Sequence, residues 1–528
     1  MYNRMVAMTY TAEWIDISQH TGFKVQKVFL IALLLSEFFS SFATADTLRD
    51  IYELALKNDA KLRAAEASYK ANIETEQQAK SRLLPQVQGD ANYGRRKVDS
   101  DAQSITGFTG TFPNFVGQTG SVNTRTNTTN SGWGVSLSQP LFDLPAWFSF
   151  KSGKLTSKQA EAQFAADQQD LIIRVADAYF TVLRQWDNLQ VARSEELADK
   201  RQLDQAQQRF DVGLIAITDV HEARAAYDAS VAQRLGDEGD LATAYETLST
   251  FTGQIHENLW PLNKDFPVSE PSPSDRGEWV KFALANNSSL HAAFYAMEAA
   301  QENAAAKRYE HAPKLSGNLS YGKDRVDGTQ TTTPASLFSF PPDSDSATKM
   351  AILKLTVPIY SGGYTSSAQR QAYEQYNAAL ERRIDTERTV VQGTRARHIA
   401  ASTDVQRVKA RSQSIVSAQS ALDATSAGYE VGTRNIVDVL QTQRTFYSAQ
   451  RDYANARYDY VLDMLKLKQQ AGTLTPRDIN DLNEWLVEPN NSLKTQEGQM
   501  PFGQRNDFAR PVEGHYLEDA TTKSFSVP

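Results

Sequence analysis

The sequence predicts an α+β membrane protein built from two tandem copies of one unit, each joining two amphipathic strands to long helices. Three patterns carry this reading. Landmarks recur at a nearly constant offset, four short segments alternate strictly between apolar and polar residues, and the stretches between them carry apolar residues at helical or heptad spacing. The 528-residue chain has a mean hydropathy of −0.49 and a net charge of −8. The acidic balance argues against a nucleic-acid binder, which concentrates basic charge on one face. Zero cysteines exclude disulfides, thiol chemistry and a lipidated N-terminal cysteine.

From the N-terminus, residues 1–45 read as a leader. Lys24 and Lys27 precede the apolar run Val28–Leu35, and Ala43-Thr44-Ala45 follows as a cleavage site, so the mature chain is expected to begin near Asp46. The run is too short for a membrane-spanning helix, which needs about 20 apolar residues. Residues 1–23 fit no leader pattern and form a doubtful extension, with Met8 the last methionine before the run.

The first unit is expected over 46–260 and the second over 276–486. Phe210-Asp211-Val212-Gly213 and Tyr429-Glu430-Val431-Gly432 lie 219 residues apart, and Thr218-Asp219-Val220 maps onto Val437-Asp438-Val439 at the same offset. Ser138–Phe142 corresponds to Thr356–Tyr360 at 218, and Pro85 with Tyr93-Gly94 to Pro313 with Tyr321-Gly322 at 228. The change of offset falls in Gly/Ser/Thr/Asn-rich intervals, which read as loops that tolerate insertions. Residues 261–275, with Pro-Ser-Pro-Ser, read as a linker, and 487–528 as a polar, disordered tail.

Val87, Gly89, Ala91 and Tyr93 oppose Gln86, Gln88, Asp90 and Asn92, and the same alternation runs through 133–138, 314–321 and 353–357. These are strands of about 8–10 residues with one apolar face, ended by Pro140 and Pro358. The intervening stretches read as helix, from about Phe150 to Phe210 and from Thr365 to Gly428. Val175, Tyr179, Val182, Trp186 and Leu189 follow 4-3-4-3 spacing. Val439, Phe446, Tyr453, Tyr460 and Leu467 form a seam, whose counterpart Val220, Tyr227, Arg234, Leu241 and Leu248 has one polar interruption. Each unit is thus expected as helix, two strands, long helix, helix.

Four strands with an apolar outer face cannot close a membrane barrel, because open edges are excluded from hydrocarbon. Closed bacterial barrels start at eight strands, so two chains would give eight and three would give twelve. The polar helices must project into a soluble compartment. A coiled-coil or periplasmic adaptor protein without a pore explains the helices but leaves the strands and leader unexplained.

Gln202–Asp219 (QLDQAQQRFDVGLIAITD) and Ala427–Leu440 (AGYEVGTRNIVDVL), with Ser417–Ala424 and Ala454–Tyr458, resemble the TolC-like outer-membrane efflux proteins over about residues 46–486. The resemblance implies a homotrimer, a twelve-stranded barrel in the outer membrane of a Gram-negative bacterium, and a long α-helical barrel in the periplasm. It implies no cofactor and a duct for drugs or secreted proteins. The implied partners are a periplasmic adaptor and an inner-membrane RND or ABC transporter.

The Val212-Gly213 and Val431-Gly432 turns read as tips of helical hairpins. A narrow tip held by hydrogen bonds could close a tube, but from the residues alone Asp219 and Asp438 beside the turns read first as helix caps or solvated groups. The resemblance assigns them to a gate. It implies that Asp219 accepts from Tyr429 and from Arg434 of a neighbouring copy, that Thr218 bonds Arg434, and that Asp438 forms an acidic ring at the entrance. Gln441 stands where the family often carries a second aspartate, so the ring is expected to be single. Val212, Gly213, Val431 and Gly432 are expected to contact the adaptor. Enzyme signals fail: His221-Glu222-Ala-Arg-Ala lacks the second His of a zinc helix, the seven histidines show no ligand spacing, and no nucleophile or phosphate-loop motif is present.

Overall fold

The structure, a computed structural model, describes residues 46–114, 116–334 and 342–488. The expected leader and the expected tail beyond Glu488 lie outside the described residues. Thr47–Val487 form one compact unit. In chain order it contains α1 (Leu48–Asn58), α2 (Ala60–Ser81), β1 (Gln86–Thr109), β2 (Val116–Phe142), α3 (Leu144–Asp211) and α4 (Ile217–Thr252). Then follow α5 (Arg276–Asn286), α6 (Ser288–Arg308), β3 (Lys314–Thr333), β4 (Ser344–Thr356), α7 (Tyr364–Glu430), α8 (Ile436–Gln470) and the short α9 (Pro476–Asn483).

Each half opens with two helices where the sequence reading has one. The breaks fall at Asx residues. The Asp59 carboxylate accepts the N–H groups of Lys61 and Leu62, and Asn287 Oδ1 accepts that of Leu290. A side chain that satisfies the orphan donors of a first turn starts a new helix at that point. The long helices meet expectation: α3 has 68 residues and α7 has 67, each about 100 Å at 1.5 Å per residue. Val175, Tyr179 and Val182 of α3 are fully buried, as are Val439 and Leu467 of the α8 seam. The polar interruption at Arg234 is answered by two carboxylates, Glu196 of α3 and Glu238 one turn on.

The core lies midway along the long helices. There Leu48 and Ile51 of α1, Tyr179 and Phe180 of α3, Leu248 of α4, Val461 and Leu465 of α8 and Ile479 of α9 pack together. The segment 261–275 is part of this packing, not a free linker. Leu262 bridges to Leu486, the Phe266 ring lies edge-on to Trp485, and Tyr460 Oη donates to the Ser269 carbonyl at 2.8 Å.

The four strands form one antiparallel sheet in the order β1-β2-β3-β4. Its register pairs Ala91 with Trp133, Trp133 with Lys323, and Tyr321 with Lys349. Val87, Tyr93, Trp133, Val135, Leu319, Tyr321, Leu353 and Leu355 therefore share one face, and all are exposed in the single chain. Tyr93, Trp133 and Tyr321 end that apolar zone, with the Trp133 and Tyr321 rings edge-to-face at 5.5 Å. At the helical end, Phe142, Trp147, Tyr360 and Tyr364 are exposed as a second aromatic group.

The strands are longer than predicted, at 24, 27, 20 and 13 residues. The intervals read as loops are largely ladder, and β1–β2 pairing continues to Thr109 opposite Val116. A hydrogen-bonded ladder needs no apolar face, and the Thr-rich sequence suits the pleated backbone. Pro140 lies inside β2 at a register shift just before the strand ends, while Pro358 follows β4 as expected.

One buried acid in α7 yields a pH prediction. Burial raises the Asp404 carboxyl to about 6; Arg407 at 2.7 Å opposes the rise and Asp463 of α8 adds to it. Raised above its ordinary value, this group favours the fold fully below about pH 4, and that contribution is lost as pH climbs through about 6. Asp404→Asn is expected to be more stable than the parent by ~1 kcal/mol near pH 8 and to match it near pH 4. Denaturation midpoints at the two pH values check this; a pH-independent difference removes the assignment.

Candidate functional site

The far ends of the long helices are closed by two turns of one design. In the first, Gly213 N–H donates to the Phe210 carbonyl and Leu214 N–H to that of Arg209, both at 2.8 Å. In the second, Gly432 N–H donates to Tyr429 and Thr433 N–H to Gly428, at 3.1 and 2.8 Å. These paired bonds satisfy the last helical carbonyls and need a left-handed residue, supplied by Gly213 at φ +76° and Gly432 at φ +80°. The turns leave Val212, Leu214 and Val431 standing in solvent, 71–75% exposed.

Around these turns the site residues distribute as follows. Asp219 lies in the first turn of α4, with Thr218 Oγ1 3.4 Å from its Oδ1. Tyr429, in the last turn of α7, packs on Ala226, Ile436 and Leu440. Its ring lies under the Arg209 guanidinium at 4.7 Å, and its buried hydroxyl has no partner among the described residues. Arg434 reaches Asp438 at 3.7 Å, both side chains exposed. Its stem folds across Gly428, where a Cβ would come within 2.9 Å of Arg434 Cγ. Asp438 is not a cap: Asn435 caps α8, its Oδ1 accepting the Asp438 N–H at 2.8 Å.

Within one chain the structure thus brings Thr218 to Asp219 and Arg434 to Asp438. It does not bring Tyr429 to Asp219, nor Arg434 to Thr218. Sequence reasoning missed Arg209, because its stacking on Tyr429 depends on the tips of α3 and α7 lying side by side.

It also missed a polar layer farther from the tip that ties α8 to α3. Gln443 Nε2 donates to Asp199 Oδ1 at 2.7 Å, Arg451 Nη2 pairs with Glu195 at 3.1 Å, and Tyr447 Oη donates to the Ser194 carbonyl at 3.2 Å. Burial pushes the Glu195 carboxyl up, with Arg451 opposing and Asp199 reinforcing, and it pushes Asp199 up against the Ser230 hydrogen bond. All of these groups make reversible hydrogen bonds and ion pairs, the chemistry of a latch. Among the described residues no cluster suited to a metal ion occurs, and no helix is long and apolar enough to cross a membrane.

Comparison with known proteins adds the following. The family described as outer membrane efflux protein matches residues 51–254 and 279–473. The outer membrane protein TolC of Vibrio cholerae is 36% identical over 450 residues, covering 85% of this chain and 95% of that protein. TolC of Escherichia coli K12 is 34% identical over 461 residues, covering 87% and 89%. In fold, the chain is similar to the Campylobacter jejuni CmeC outer membrane channel, with a TM-score of 0.62 at 16% identity over 83% of this chain and 90% of that one.

Proposed function

The chain belongs to the outer membrane efflux protein family and is an outer-membrane export channel reaching into the periplasm, and from that premise we propose how it is built and gated. Three copies close a twelve-stranded barrel, four strands from each, and their long helices continue it as a periplasmic α-helical tube. Residues 46–260 and 276–486 act as two tandem structural repeats joined through 261–275. The observation that carries this is the open sheet itself. Its apolar face is exposed between two aromatic groups, and its β1 and β4 edges need partners in hydrocarbon. The same sheet disfavours the pore-less adaptor reading. The aromatic groups mark the two membrane interfaces, where Tyr and Trp concentrate.

The tips form the periplasmic gate. The unpartnered Tyr429 hydroxyl is the donor that Asp219 would accept in the closed assembly. Arg434 would leave Asp438 for Thr218 and Asp219 of the next copy, and three Asp438 residues would ring the entrance. A periplasmic adaptor, docking on Val212, Gly213, Val431 and Gly432, draws the α7–α8 hairpins outward. Cargo handed over by an RND or ABC transporter of the inner membrane, drugs or secreted proteins, then passes without covalent chemistry.

Single-channel conductance in planar bilayers tests this, comparing the parent with an Asp219→Ala/Tyr429→Phe double variant. A low parental conductance that rises several-fold in the variant is the expected result. Equal conductances would keep the duct and remove the gate, and no conductance from inserted protein would remove the channel architecture.

A further inference from the structure

Around the aromatic residues that end the apolar zone, the outward face of the sheet carries more cations than carboxylates. Residues of one parity share that face across all four strands, as the register requires. Two residues past Tyr93 stands Arg95, two past Tyr321 stands Lys323, and opposite Tyr321 stands Lys349, all three exposed. Lys349 Nζ lies 5.9 Å from the Tyr321 ring centroid. Along the ladder Arg325 and Asp345 share the rung of Ser131, and Asp327 lies opposite Thr129, so these rungs hold four cations, Arg95, Lys323, Arg325 and Lys349, against two carboxylates.

The carboxylates of this face are each paired with a cation of the same face. Asp99 pairs there with Arg125 at 2.7 Å, Asp327 with Arg325 at 2.9 Å, and Asp345 reaches back to Lys323 at 3.3 Å. The last pair is about half exposed on both sides, a type worth little in water. Asp90 and Asp324 lie at neighbouring heights but on the opposite, inward face. The outward band therefore keeps a net positive charge.

We propose that Arg95, Lys323 and Lys349 form a binding belt for the phosphate groups of a phosphorylated outer-leaflet lipid. The inference rests on the barrel reading above, which turns this face toward the bilayer. Aromatic side chains settle at headgroup height, so Lys349 opposite Tyr321, Lys323 opposite Trp133, and Arg95 two residues or roughly 7 Å past Tyr93 stand at the level of the lipid headgroups. The belt is exposed, net positive and repeated in every copy. Guanidinium and ammonium groups there exchange water for phosphate oxygens at the edge of a low-dielectric medium, where their attraction is stronger than in bulk solvent.

The test uses the full-length trimer in phosphatidylcholine bilayers, with and without bisphosphorylated lipid A. Its readouts are the temperature at which the trimer dissociates on a gel and the lipid phosphorus retained after washing. The parent is expected to dissociate at a higher temperature when the lipid is present. An Arg95→Gln/Lys323→Gln/Lys349→Gln variant should lose that rise, with retention falling roughly fivefold per cation removed, while behaving like the parent in neutral lipid. Should the triple variant fail to assemble, the three single variants are each expected to show a partial loss. An undiminished rise in the variants overturns the proposal. So does an equal rise from fully dephosphorylated lipid A, which would mean acyl contact alone, or from soluble pyrophosphate, which would mean a free-anion site. Absence of trimer and conductance in neutral lipid would instead strike the barrel reading.

Discussion

Phe180→Ala is expected to cost ~3–5 kcal/mol. The ring is fully buried in α3, edge-on to Tyr179 at 5.6 Å and 6.0 Å from Tyr458 of α8, at the centre of the core that joins both halves. Removing it withdraws apolar area and leaves a cavity that 68 residues of continuous helix cannot easily collapse around. Denaturant unfolding followed by circular dichroism measures the loss. Leu197→Ala, on an exposed position of the same helix, serves as control and is expected to change stability by no more than ~0.5 kcal/mol. A loss below ~1 kcal/mol for Phe180→Ala would show that the waist repacks freely.

The second large effect is expected from Arg451→Ala. Its guanidinium pairs with Glu195 across the α8–α3 contact, and the side chains are only 22% and 10% exposed. Truncation strands a carboxylate whose titration burial already pushes upward, at a cost of ~3 kcal/mol near neutral pH. The sign follows from linkage. A carboxyl held above its ordinary value stabilises the fold most when protonated, so the penalty shrinks on acidification and grows toward neutrality. Glu195→Gln placed on the Arg451→Ala background is expected to recover most of the loss, because no buried charge remains unpaired. Thermal melts of the two single variants and the double variant check this, and strict additivity would sink the coupling.

The helices were legible because their signal is long and redundant. Apolar spacing over some sixty residues located α3 and α7 to within about six residues at each end. The tips were legible from two glycines whose left-handed conformation a turn demands. The strands were only half legible. Alternation identified Val87–Tyr93 and Trp133–Leu137, but it is silent where both faces are wet, as from Gly94 to Thr109. The repeated threonines of β2, such as Thr124, Thr126, Thr128 and Thr129, were the available signal. The helix breaks at Asp59 and Asn287 were announced by Asx residues, and α9 by the Thr475-Pro476 start and the Asp478 capping box. The Arg209 stack on Tyr429 and the Asp199–Gln443 bond had no sequence signal, since each joins helices far apart in the chain.

The ladder between β2 and β3 stops at Asn123 opposite Thr333, whereas β1 and β2 stay paired to Thr109 and Val116. The end of the first hairpin therefore extends as a two-stranded ribbon beyond the β2–β3 ladder. Closing a longer turn there costs only slowly growing entropy, about 0.6 kcal/mol for each doubling. Its length is thus a nearly free variable, independent of the helical end of the chain. The ten-residue mismatch between the two halves sits in these same hairpin intervals. Surface change can accumulate at this ribbon, and foreign peptide be carried on it, while the conducting path keeps its dimensions.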